Sequence, residues 1–105
     1  MSRGDRYVKL VELSGGAKTL GNVVCAEGGA SLAKMPGGTA WKARYDAKFP
    51  KQFQVYSPYT YDATMVLVDA MKRANSVDPK AYAAKLADAA YPGVTAKVSF
   101  EPNGE

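Results

Sequence analysis

Apolar residues recur along this chain with helical spacing in four places and alternate or cluster like strands in three. From Asp5 to Ser14, the residues Tyr7, Leu10, Val11 and Ser14 fall at i, i+3, i+4 and i+7, and Gly15-Gly16 follows. That pattern predicts a short amphipathic helix closed by a left-handed glycine. Asn22-Val23-Val24-Cys25-Ala26 lies between Gly21 and Gly28-Gly29; it is short and apolar on both faces, as in a strand of a covered parallel sheet. Gly28 to Gly38 reads as an irregular loop, with Pro36 disfavouring helix at Met35. Thr39 then offers an N-cap for a helix in which Trp41, Tyr45 and Phe49 share one face before Pro50 ends it. Such an aromatic stripe is expected to pack on a sheet.

Gln52 to Tyr56 alternates polar and apolar residues, and Ser57-Pro58 supplies a cap followed by proline at the first helical position. Tyr59 to Ala74 is apolar around most of a helical circumference, with Asp62 and Asp69 assigned to a single solvent stripe. Asp78-Pro79 repeats the cap-then-proline device and opens a helix with Tyr82, Leu86 and Ala89 on its inner face, ended by Pro92-Gly93. Val94 to Phe100 alternates like a half-buried strand, and residues 101–105 read as a turn that would feed another. The fold class expected is therefore α/β, with helices packed on a short parallel sheet, the whole forming a partial lobe of something larger.

Composition narrows the chemistry. Histidine is absent and Cys25 is the single cysteine among 105 residues, so His-assisted nucleophiles and His- or Cys-ligated metals lack their side chains. Cys25 reads as a small core hydrophobe. The net charge of +4 comes from 14 basic and 10 acidic residues scattered without a basic run, which describes a mixed-charge surface and no nucleic-acid footprint. The glycine pairs lack the spacing of a phosphate loop. Asp62 and Asp69 stand about 10 Å apart along a helix axis, too wide for paired-acid catalysis. No enzyme activity, cofactor or metal is expected. Met1 to Glu12 has no apolar core of an export signal. The run Val55-Tyr56-Ser57-Pro58-Tyr59-Thr60-Tyr61-Asp62 places three tyrosines at a strand-to-helix junction. In α/β sheets such junctions border ligand crevices; the same rings would equally pack the start of a buried helix.

Several of these segments together resemble the branched-chain amino-acid (leucine/isoleucine/valine) binding proteins of bacterial ABC transporters, a group of type I periplasmic solute-binding proteins. The residues concerned are Gly15-Gly16-Ala17 before Gly21-Asn22-Val23-Val24, then Tyr56 to Ala63 leading into Val68 to Ser76, then Asp78-Pro79, Gly93-Val94-Thr95 and Val98 to Glu105. The resemblance covers nearly the whole chain. It implies a two-lobed protein that closes on a small apolar amino acid and delivers it to a membrane permease from the periplasm, with residues 1–105 as a single partial domain from its C-terminal portion. It places Tyr56 in the wall of the ligand cleft. Asp5, in a stretch that departs from the family's pattern, is its candidate for meeting the ligand's amine. The alternative is a free-standing interaction module derived from the same lobe, self-associating through a sheet edge or the face of Trp41, Tyr45 and Phe49.

Overall fold

The computed structural model describes residues 3–105 apart from 24, 25 and 27, with side chains described from residue 8 onward. Helix α1 (Arg3–Leu13) ends where Gly15 and Gly16 take φ of +86° and +120° and the Gly16 amide donates to the Val11 carbonyl at 2.9 Å. Only residues without a Cβ reach those angles freely. A one-turn helix α2 (Ala17–Leu20) follows. Of the strand expected at Asn22–Ala26, Val24 and Cys25 lie outside the described residues, and Asn22, Val23 and Ala26 take no strand conformation. A 3-10 turn at Leu32–Lys34 leads into α3 (Gly38–Lys48).

Helix α3 starts one residue before the expected cap, Thr39, because tertiary contacts fix its N-terminus. The Gly37 amide donates to the Val94 carbonyl at 3.0 Å. At buried Gly38 a Cβ would strike the Leu32 carbonyl oxygen and the Met35 side chain, so only glycine lets the loop fold back this closely. Gln52 to Tyr56, expected as a strand, is instead a turn. The Ser57 amide donates to the Gln54 carbonyl at 3.0 Å, and the Ser57 hydroxyl accepts from the Gln54 amide at 2.9 Å. Ser57 is thus spent on the preceding turn and does not cap α4 (Ser57–Ala74), whose first turn contains Pro58. Asn75, at φ 50° and ψ 38°, closes α4 in the left-handed region. Helix α5 (Pro79–Ala87) has its expected cap: the Asp78 carboxylate accepts from the Lys80 amide at 3.0 Å.

The sheet departs from expectation. Among the described residues it consists of β1 (Ala90–Pro92) and β2 (Lys97–Ser99), paired antiparallel with Tyr91 opposite Val98. A parallel pair needs a crossover of a dozen or more residues, and only Gly93 to Ala96 separate these two strands. Ala89, expected on the inner face of α5, is buried, but at the entry to β1.

One face of α4 organises the interior. Pro58, Asp62, Val66 and Ala70, spaced by four, are its buried residues, and α4 packs along α5 and beside the hairpin. Arg73 ties the two helices at their far end: its Nε donates to Asp69 at 2.8 Å and a terminal nitrogen donates to the Lys85 carbonyl. Asp69 therefore occupies the surface as expected, but Asp62 does not. Asp62 is 3% exposed and accepts from the Val94 amide (2.8 Å), the Thr95 amide (2.8 Å) and the Thr95 hydroxyl (2.6 Å). A carboxylate is tolerated in the interior when its lone pairs are filled in this way. Gly93 completes the arrangement, since a Cβ there would collide with the Asp62 carboxylate and the Ala96 carbonyl.

The molecule is elongated. Its radius of gyration is 18.1 Å, against about 13 Å for a compact chain of this length. Its accessible surface of 7724 Å² exceeds the roughly 5,700 Å² of a compact monomer of this mass.

Two substitutions test this interior. Asp62→Ala strands the Val94 and Thr95 amides and is expected to destabilise the chain by about 3 kcal/mol, against about 1.5 kcal/mol for Asp62→Asn, which keeps one acceptor. Urea unfolding followed by circular dichroism measures both, and wild-type stability in the alanine variant would refute the pinning role. Gly93→Ala forces the turn off the carboxylate and should lower stability by about 2 kcal/mol, seen as a drop in melting temperature.

Candidate functional site

The aromatic stripe of α3 packs, but against α4 and Phe53 where a sheet had been expected. Trp41 is buried, with ring centroids 4.9 Å from Tyr45, 5.6 Å from Tyr61 of α4 and 6.4 Å edge-on from Phe53. Tyr45 continues the stack to Phe49 at 5.3 Å. Lys42 lies over the Phe53 ring, 4.9 Å from its centroid, while pairing with Asp46.

Between α3 and α4 opens a groove of about 800 Å³, within the size range of small-molecule sites. Trp41, Tyr45, Phe49, Tyr56, Tyr61 and Met65 give it apolar walls; Gln54, Ser57, Thr60 and Thr64 add neutral polar groups; Arg44 and Lys48 bring positive charge. Tyr56, the residue singled out from sequence, stands in this wall with 56% of its surface exposed. The three tyrosines of this junction have different surroundings. Tyr59 is a packing residue: its hydroxyl accepts from the Ala30 amide at 2.7 Å, and its ring meets Tyr56 edge-on at 6.3 Å. Gly29, at φ +95°, makes that contact possible, because a Cβ there would sit 2.5 Å from the Tyr59 hydroxyl. Tyr56 and Tyr61 face the groove.

Asp5 belongs to α1, and its side chain lies outside the described residues. Among the described residues no group of His, Cys, Asp or Glu side chains is placed to hold a metal ion, and no helix is long and apolar enough to cross a membrane.

Arg44 and Lys48 border the groove as well, which the sequence reading does not anticipate. They had been counted only as scattered cations, although positions 41, 44, 45 and 48 follow the i, i+3, i+4, i+7 rule that put Trp41 and Tyr45 on one face. A second concavity of about 610 Å³ lies between α5 and the C-terminal segment, bordered by Tyr82, Leu86, Phe100 and Pro102. It contains none of the residues expected to bind ligand.

A protein-family model described as a periplasmic binding protein matches residues 7–105. No curated protein and no solved structure matches the chain. The match runs from within α1 through β2 and includes every residue that lines the groove. The chain belongs to the periplasmic binding protein family, whose members bind solutes and are not enzymes.

Proposed function

We propose that this chain is part of the solute-binding component of an ABC transporter for branched-chain or similar apolar amino acids, working in the periplasm and delivering its ligand to a membrane permease. In this reading residues 1–105 form the C-terminal portion of a two-lobed protein, Tyr56 walls the cleft, and Asp5 is the acid that meets the ligand's ammonium. The observation that carries the proposal is the aromatic groove between α3 and α4, with Tyr56 more than half exposed in its wall. A tyrosine used only for packing would have its ring covered; this one offers an apolar face with a hydroxyl tip, a combination suited to a small apolar ligand.

The surface in excess of a compact monomer's supports the two-lobed part of the reading. Leu13, Phe49, Leu67 and Val77 are exposed, leaving apolar area free to meet further polypeptide. The same exposure is what a self-associating module would show, and sedimentation separates the two: a monomer favours the lobe, a stable dimer indifferent to amino acids favours the module.

Closure on an amino acid draws groups from both lobes, so the chain alone is expected to bind leucine weakly, in the millimolar range. Nuclear magnetic resonance titration with leucine measures it through residues lining the groove. Tyr56→Ala should weaken binding about tenfold. An unchanged dissociation constant in that variant would remove Tyr56 from the site, and submicromolar binding by the wild-type chain would show that the pocket is already complete.

A further inference from the structure

The apolar wall of the groove is made of rings. Five of the twelve described residues that line it are aromatic, and none is leucine, isoleucine or valine. The protein uses these rings unequally. Trp41 is enclosed by Tyr45, Phe53 and Tyr61. Phe49, Tyr56 and Tyr61 pair with Tyr45, Tyr59 and Trp41, yet remain 46%, 56% and 40% exposed, so each keeps ring surface open. They come from the end of α3, the junction before α4 and the first turns of α4, and all three border the same groove. The ring pairs already present stand 4.9–6.4 Å apart, tilted or edge-on. A further ring among them gains the same contacts, whereas a branched aliphatic side chain gains only the burial of its area. Met65 adds a thioether, which favours aromatic neighbours. A short branched side chain also covers less of a groove of about 800 Å³ than a ring does.

We infer that the ligand side chain received by this groove is aromatic, and that among apolar amino acids the groove selects those with a ring over those with a branched chain. The inference rests on reading the groove as the ligand cleft. It leaves the ligand's ammonium to Asp5 and its carboxylate to a segment outside this chain, and concerns only the side-chain end. Phe49 and Tyr56 are the specificity-determining residues, since they offer the most open ring surface in the wall. A saturated ring of the same size fills the same space but lacks the quadrupole that favours tilted and edge-on contacts. A ring that carries a hydroxyl is accepted, because Gln54 and Thr60 bring neutral polar groups to the same wall.

The test titrates phenylalanine, cyclohexylalanine, leucine and benzyl alcohol (a ring with no amino-acid group) into the wild-type chain, Phe49→Leu and Tyr56→Leu. Groove resonances are the readout, and circular dichroism confirms the fold. Leucine at these two exposed positions keeps apolar surface and removes only the ring; two separate sites keep the test decisive where one variant fails to fold. In the wild type, phenylalanine should bind about tenfold tighter than leucine, with cyclohexylalanine within a few-fold of leucine. Each variant should weaken phenylalanine several-fold and leave leucine within about twofold of its wild-type affinity. Leucine bound as tightly as phenylalanine would overturn the inference while leaving the amino-acid reading standing. So would cyclohexylalanine equal to phenylalanine, or phenylalanine binding unchanged in both variants. Phe49-dependent binding of benzyl alcohol without binding of any amino acid would do the reverse, removing the amino-acid reading and keeping the groove's preference for a ring. No saturable shift with any of the four overturns both.

Discussion

The buried carboxylate of Asp62 is the interaction on which the arrangement of the helices turns. An ionised group in the interior is costly unless its oxygens are filled with donors, and here two amides and a hydroxyl converge on it. The turn between β1 and β2 can supply those donors only because Gly93 leaves room for the carboxylate. The consequence extends beyond the turn. Val94 donates its amide to Asp62 and accepts the Gly37 amide with its carbonyl. One residue of the hairpin thus joins the first half of α4 to the N-terminus of α3, the two helices between which the groove opens.

The fold around this link has little interior of its own. Met35, Trp41, Val66, Ala70 and Ala89 are the buried hydrophobic side chains among the described residues. A handful of such side chains, at about 1.5–3 kcal/mol each for the larger ones, leaves a narrow margin over the entropy of ordering a chain this long. Directional contacts consequently matter more here than in a larger core. Arg73 on the Lys85 carbonyl, Tyr59 on the Ala30 amide and Asp62 on the hairpin each fasten an element that apolar contact holds only along one side.

The helices were legible in the sequence because their signals are local. Gly15-Gly16, Pro50 and the Asp78-Pro79 pair mark ends that a chain obeys almost irrespective of what surrounds it. The sheet was legible only in part: β2 (Lys97–Ser99) forms inside the alternating run Val94–Phe100, whereas alternation at Gln52–Tyr56 and a β-branched run near Val23 specify a strand only if a partner is alongside. Ala90–Pro92 carries no such pattern and became a strand because Lys97–Ser99 folds back on it. Asp62 was misassigned for a related reason. Periodicity placed it with Asp69, seven residues away on nearly the same face, but the donors that make its burial tolerable come from residues more than thirty positions further along the chain. Within the site, the junction at Tyr56 was visible as an unusual density of tyrosines, while the separate fates of Tyr56 and Tyr59 depended on the loop at Gly29, remote in sequence.

The aromatic stripe of α3 shows how a single periodic signal can serve two ends. Trp41, Tyr45 and Phe49 obey the same spacing, yet exposure rises from 4% at Trp41 to 46% at Phe49. The helix N-terminus is held down through Gly37 and the hairpin, so the first ring is covered by Tyr61 and Phe53. Among the described residues no hydrogen bond to another helix or to the hairpin secures the C-terminal end, where the chain leaves through Pro50 and Lys51, the latter at φ 62°. The last ring therefore stands clear of the core. A face that is interior at one end and groove wall at the other follows from anchoring a helix asymmetrically.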